Sequence, residues 1–81
     1  VGIEGRLEEL GVLEPVRDAA GGALAFAFAL SRARGSSARL ARNRLIRAAW
    51  ERLRPLGWSR AQLVELLRVD VLTFERAMRE V

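Results

Sequence analysis

Between Ala19 and Ser31 the chain carries no charge, and its large residues fall on both sides of any helix drawn through them. The centre of this stretch, Leu24-Ala25-Phe26-Ala27-Phe28-Ala29-Leu30, alternates large and small residues as a strand would. Alanine favours helix and is depleted from strands, so helix is the expected state. At 100° per residue, Leu24 and Phe28 then lie on one side, with Phe26 and Leu30 opposite. A helix that is apolar on both sides has to be covered on both sides. A chain of 81 residues buries proportionally little surface and can hardly provide that cover alone. The expected solution is a homodimer with Leu24, Phe26, Phe28 and Leu30 at its interface. One side of the helix packs on its own core and the other on its twin.

The same stretch anchors the helix boundaries. Pro15 suits a first helical turn, with Glu14 and Asp18 near the positive end, and predicts a helix running to about Arg34 and closed by Gly35. Gly21 and Gly22 within it predict close helix approach or a kink. Ser36 or Ser37 is the expected cap of a second long helix, which reaches about Arg54 and is ended by Pro55 and Gly57. Its apolar arc is Ala41, Leu45, Ile46, Ala49, Trp50 and Leu53. Asn43, Arg44, Arg47, Glu51 and Arg54 form the opposite face, and Arg39, Arg42 and Arg52 flank the arc. Upstream, Ile3, Leu7 and Leu10 fit one face of a short helix that stops at Gly11, although Ile3-Glu4-Gly5-Arg6 also matches a common protease-cleavage linker. The reading is one all-α domain. Residues 1–13 form a short helix or linker, 14–55 two long helices for core and dimerisation, and 58–81 a final helical pair.

That final pair has the most specific signals. Ser59 and Gln62 have capping-box spacing, and Trp58 and Leu63 fit the hydrophobic staple around it. Leu63, Leu66 and Leu67 face inward. Asp70 then suits the N-cap of a last helix with Phe74, Ala77, Met78 and Val81 on one side. A short helix, a tight turn at Arg68-Val69-Asp70 and a second helix make a helix-turn-helix arrangement.

The run from Leu63 to Arg79 resembles the widespread helix-turn-helix pattern LAxLLGVSxxTLxRxLR. Leu66 and Leu67 match its paired leucines and Val69 its buried turn residue. Asp70 stands for the serine cap, and Thr73, Phe74, Arg76 and Met78 match the recognition helix. With two longer helices ahead of it, the arrangement is similar to the Fis-type C-terminal domain, in which such helices build a dimer core. Arg68 departs from the pattern's turn glycine and Val64 from its small residue. Glu75 and Glu80 stand where that family tends to carry basic residues. The resemblance implies DNA as partner.

Charge supports a polyanionic partner. Residues 1–31 carry −3, residues 32–60 carry +8 and residues 61–81 carry −1, and every basic residue is arginine. Such a block draws polyanions by long-range attraction and counterion release. The expected DNA contacts are Arg76, Arg79 and Thr73 at base edges, Leu72 at a thymine methyl, and Arg60, Arg44, Arg47 and Arg54 at phosphates. The competing expectation is a helical module that grips an acidic protein with the same arginines.

Composition speaks against catalysis. Without cysteine or histidine there is no disulfide, no thiolate, no imidazole base and no Cys/His metal set. The serines lack a base, the carboxylates lack metal-ligand spacing, and Gly21-Gly22 lacks the residues of a phosphate-binding loop. No enzyme activity, cofactor, metal or small-molecule substrate is expected. No apolar run is long enough to span a bilayer, and the acidic N-terminus is unlike a signal peptide, so a cytoplasmic location is expected.

Overall fold

In a computed structural model of the protein, which describes residues 2–79, turns cut the chain into six α-helices. These are α1 (Ile3–Glu9), α2 (Leu13–Ala19), α3 (Ala23–Leu30), α4 (Ser36–Leu53), α5 (Arg60–Leu67) and α6 (Val71–Arg79), with a 3-10 turn at Arg54–Leu56 after α4. No strand occurs among the described residues. Val81 and Glu80, assigned above to the last helix, lie outside them.

The helix expected from Pro15 to Arg34 is instead two helices, and Gly21 explains the break. Its φ is +107°, which closes α2 by two reversed hydrogen bonds: Gly21 N–H donates to Asp18 C=O at 3.1 Å and Gly22 N–H to Arg17 C=O at 3.0 Å. Gly22, at φ 104° and ψ 178°, then redirects the chain into α3. Gly35 does not close that helix. It is the N-cap of α4, and neither Ser36 nor Ser37 makes the expected capping bond, because the helix already begins at Ser36. Ser31 closes α3 instead, its Oγ donating to Phe28 C=O at 2.6 Å.

α4 runs through the centre and packs against α2, α3, α5 and α6, while α1 bridges α2 and α5. Its buried residues include Leu45, Ile46, Ala49 and Leu53 of the expected arc. Ala41 and Trp50 are half-buried at the core's edge. Asn43, expected on the exposed face, is buried. No buried side-chain nitrogen or oxygen among the described residues lacks a hydrogen-bond partner, so this amide is satisfied rather than stranded. From α3, Phe26 and Ala29 enter the core and Leu30 packs at its edge, while Leu24 is 89% exposed and Phe28 39%. The four residues expected at a dimer interface are thus divided. Phe26 is consumed by the chain's own core, and only Leu24 and Phe28 look outward.

The last two helices form as their caps require. Gln62 N–H donates to Ser59 Oγ at 3.2 Å and Ser59 N–H to Gln62 Oε1 at 2.8 Å, completing the capping box of α5. Thr73 N–H donates to Asp70 Oδ1 at 2.6 Å at the start of α6. Between them Arg68 is left-handed at φ 55°, the one non-glycine residue with positive φ among those described. The glycine of the resembled pattern would hold this conformation without strain. α6 is fixed to α4 by Phe74, which is buried and meets Trp50 edge to face with ring centroids 5.7 Å apart. Burial of such a ring contributes about 1.5–3 kcal/mol, and the aromatic pairing about 0.5–1.5 kcal/mol more.

Candidate nucleic-acid interface

With Phe74 and Ala77 turned to the core, α6 has little choice about what it shows to solvent. Leu72, Arg76 and Arg79 recur at helical spacing on one exposed face, with Val71 exposed beside them and Thr73 half-buried. Arg79 lies 3.9 Å from Glu75 within the helix, both of them exposed, a contact too weak and solvated to hold the arginine. The N-terminal end of α6 is held by Asp70. Hydrogen bonds from the backbone and hydroxyl of Thr73 keep its carboxyl below the ordinary value against the opposing effect of desolvation, and the nearby charge of Arg76 adds a lesser contribution in the same direction as the hydrogen bonds.

Where α6 meets the start of α4, the two helices enclose a half-open cleft of about 630 Å³. Its walls are Arg34, Gly35, Ser36, Arg39, Arg42 and Asn43 from one side and Thr73 and Arg76 from the other. Ser36, Arg39 and Arg42 follow at three-residue spacing on α4, as Thr73 and Arg76 do on α6, so each helix turns successive side chains into the same space. No acidic side chain lines the cleft, and among the described residues no carboxylate comes within 4 Å of any of its four arginines. Arg42 donates to Ala33 C=O at 2.6 Å, which fixes the guanidinium and the loop before α4 together. A concave wall of one sign focuses its field into the concavity and concentrates counterions there.

The arginines expected at phosphates separate into two groups. Arg44 and Arg47 serve the fold: Arg44 Nε donates to Ala19 C=O at 3.2 Å, at the end of α2, and Arg47 Nη1 to Ala77 C=O at 3.1 Å, in the last turn of α6. Both carbonyls sit at helix C-termini, where unpaired acceptors and the negative end of the dipole favour a cation. Arg47 thereby becomes a positioning residue for α6. Arg54 and Arg60 are exposed at the 3-10 turn and at the start of α5. Thr73 and Arg76 are brought together in the cleft, and Leu72 and Arg79 stand beside it on α6. Sequence reasoning missed Arg34, Arg39 and Arg42. Their signal was the charge block itself, but placing Arg34 at the end of a long helix and Arg39 and Arg42 along an apolar arc concealed that they converge.

Among the described residues no group of His, Cys, Asp or Glu could hold a metal ion, and no helix is long and apolar enough to cross a membrane. No protein-family model, curated protein or solved structure matches the chain.

Proposed function

We propose that the protein binds nucleic acid, with duplex DNA as its partner, using α6 and the arginine cleft beside it. The observation that carries this reading is the cleft: four arginines converge where α4 meets α6, with no acid among them. In this reading α5, the turn and α6 act as a helix-turn-helix, and α6 enters the major groove. Arg76 and Arg79 meet guanine edges, and Leu72 meets a thymine methyl. Arg34, Arg39, Arg54 and Arg60 take backbone phosphates. Arg44 and Arg47 act from behind, by setting the position of α2 and α6.

Two copies pair through α3 in the same reading. This helix bears no charge on a chain of net charge +4, and it exposes Leu24 and Phe28 beside the small residues Ala23 and Ala27. An uncharged face that allows close approach suits an identical uncharged face, and a two-fold axis would give each copy one recognition helix for each of two successive major grooves.

The test is a fluorescence-anisotropy titration with wild type and the Arg76→Ala/Arg79→Ala variant. An arginine at a base edge accounts for about 1–3 kcal/mol, so the double variant should lose affinity by roughly a hundredfold. Unchanged affinity in a folded variant would remove α6 from the interface and favour an acidic protein as the partner of the arginine face.

A further inference from the structure

We propose that the cleft between the start of α4 and α6 is a binding pocket for an oligophosphate, meaning two or three linked phosphates, free or as the tail of a nucleotide. The first argument is charge. Arg34, Arg39, Arg42 and Arg76 all line one concavity, and no carboxylate lines it with them. A single phosphate group carries about −1.5 to −2 at neutral pH, roughly half of what four guanidinium groups match. Linked phosphates supply the remainder within one molecule.

The second argument is shape. About 630 Å³ of space falls within the range of small-molecule sites, about 300–1,000 Å³. A duplex can lay its backbone across the mouth of such a cleft, whereas a short phosphate chain can enter it. The third is the character of the walls. Besides the arginines they comprise Gly35, Ser36, and Asn43 and Thr73, whose side chains already bond within the protein, and no aromatic or large apolar side chain. Guanidinium forks and the Ser36 hydroxyl suit phosphate oxygens. No aromatic side chain in the walls offers a base its own platform, and a guanidinium plane stacks on any base alike, so recognition is of the phosphate chain and does not choose between nucleosides attached to it. Gly35 adds a small contribution, since it caps α4 without a side-chain hydrogen bond and leaves the positive end of an 18-residue helix at the cleft wall.

Arg34, Arg39, Thr73 and Arg76 also belong to the proposed DNA surface, so an occupant would displace duplex, and that one consequence rests on the nucleic-acid reading.

The experiment is isothermal titration calorimetry of the full chain with sodium tripolyphosphate at about 0.15 M NaCl, where weak surface attraction is largely screened. Wild type is compared with Arg34→Gln/Arg39→Gln, and with Arg6→Gln/Arg52→Gln, both exposed, as a control of equal charge change outside the cleft. Circular dichroism checks that all three are folded. The expected result is one tripolyphosphate per chain, an affinity lowered roughly tenfold or more by the cleft pair, and little change from the control pair. Adenosine triphosphate and guanosine triphosphate should bind alike. Absence of binding, several weak sites per chain, equal losses from the two pairs or a clear preference for one base would each overturn the pocket. Duplex anisotropy on the same samples separates the two readings. Tripolyphosphate bound in the cleft by a protein that ignores duplex upholds the pocket and refutes the DNA reading. Duplex binding without tripolyphosphate binding does the reverse.

Discussion

Replacing Gly22 with alanine distinguishes two helices from one. At φ 104° and ψ 178° this residue occupies a backbone region that is nearly exclusive to glycine, where an L side chain costs about 1–3 kcal/mol. Alanine recovers about 0.4–1 kcal/mol by narrowing the unfolded ensemble. A Cβ at Gly22 would meet nothing within 4 Å, so packing adds no further term. The net loss should be about 1–2 kcal/mol, a fall in Tm on the order of 5–15 °C for a domain of this size. Gly21→Ala carries a similar backbone cost and a contact besides. Its Cβ would lie 3.0 Å from Ala25 Cβ and 3.1 Å from Arg44 Nη1, disturbing the guanidinium that caps α2. That capping bond adds about 0.5–1.5 kcal/mol to the loss, so Gly21→Ala should be the worse variant. Urea denaturation followed by circular dichroism reads both values. Were Gly22→Ala as stable as wild type or more so, with a gain in helical signal, residues 13–30 would form one continuous helix and the reasoning would fail.

Other outcomes follow from single residues. Arg68→Gly should stabilise the protein by about 0.5–1 kcal/mol, since relief of left-handed strain exceeds the entropy that glycine adds to the unfolded chain; a drop in the urea midpoint would contradict this. Asp70 has a lowered pKa when folded, so its contribution is complete above the unfolded value and is lost as pH falls through the folded one. Wild type should therefore lose stability below about pH 4 more steeply than Asp70→Ser, which keeps a neutral cap, and parallel profiles would show that Asp70 contributes nothing. Leu24→Arg should abolish dimerisation in sedimentation equilibrium with Tm nearly unchanged in dilute solution, because the side chain is 89% exposed in the single chain; a dimer that persists would place the contact elsewhere.

How far the sequence could be read depended on whether a residue's partner was local. The capping box at Ser59, the cap at Asp70 and the stop at Pro55-Gly57 involve residues a few positions apart, and all three were legible. The inward residues of α4 were legible from their period. Gly21-Gly22 was harder, because alanine on both sides argues for helix and a glycine pair fits a kink as well as a break. Which side of α3 faces the core was hidden for the same reason: Phe26 with Leu30 and Leu24 with Phe28 make equivalent sides until α4 covers one of them. Arginine was the hardest to assign. Its fork of donors suits a helix-end carbonyl and a phosphate equally, so Arg44 and Arg47 could be separated from Arg34 and Arg39 only when Ala19 and Ala77 were seen to accept from them. The buried Asn43 illustrates the converse, a polar residue on an arginine-rich stretch that tertiary packing turns inward.

The proposed binding of DNA backbone and grooves by the arginine cleft and α6 is tested most directly by the salt dependence of binding to a random-sequence duplex, measured by anisotropy for wild type and Arg39→Ala. Each phosphate contact contributes about 0.9 to the slope of log affinity against log salt. Wild type should bind with a steep slope, and Arg39→Ala should bind more weakly with a slope lower by about one. No binding at low salt by the folded protein, or a slope that Arg39→Ala leaves unchanged, would contradict the account.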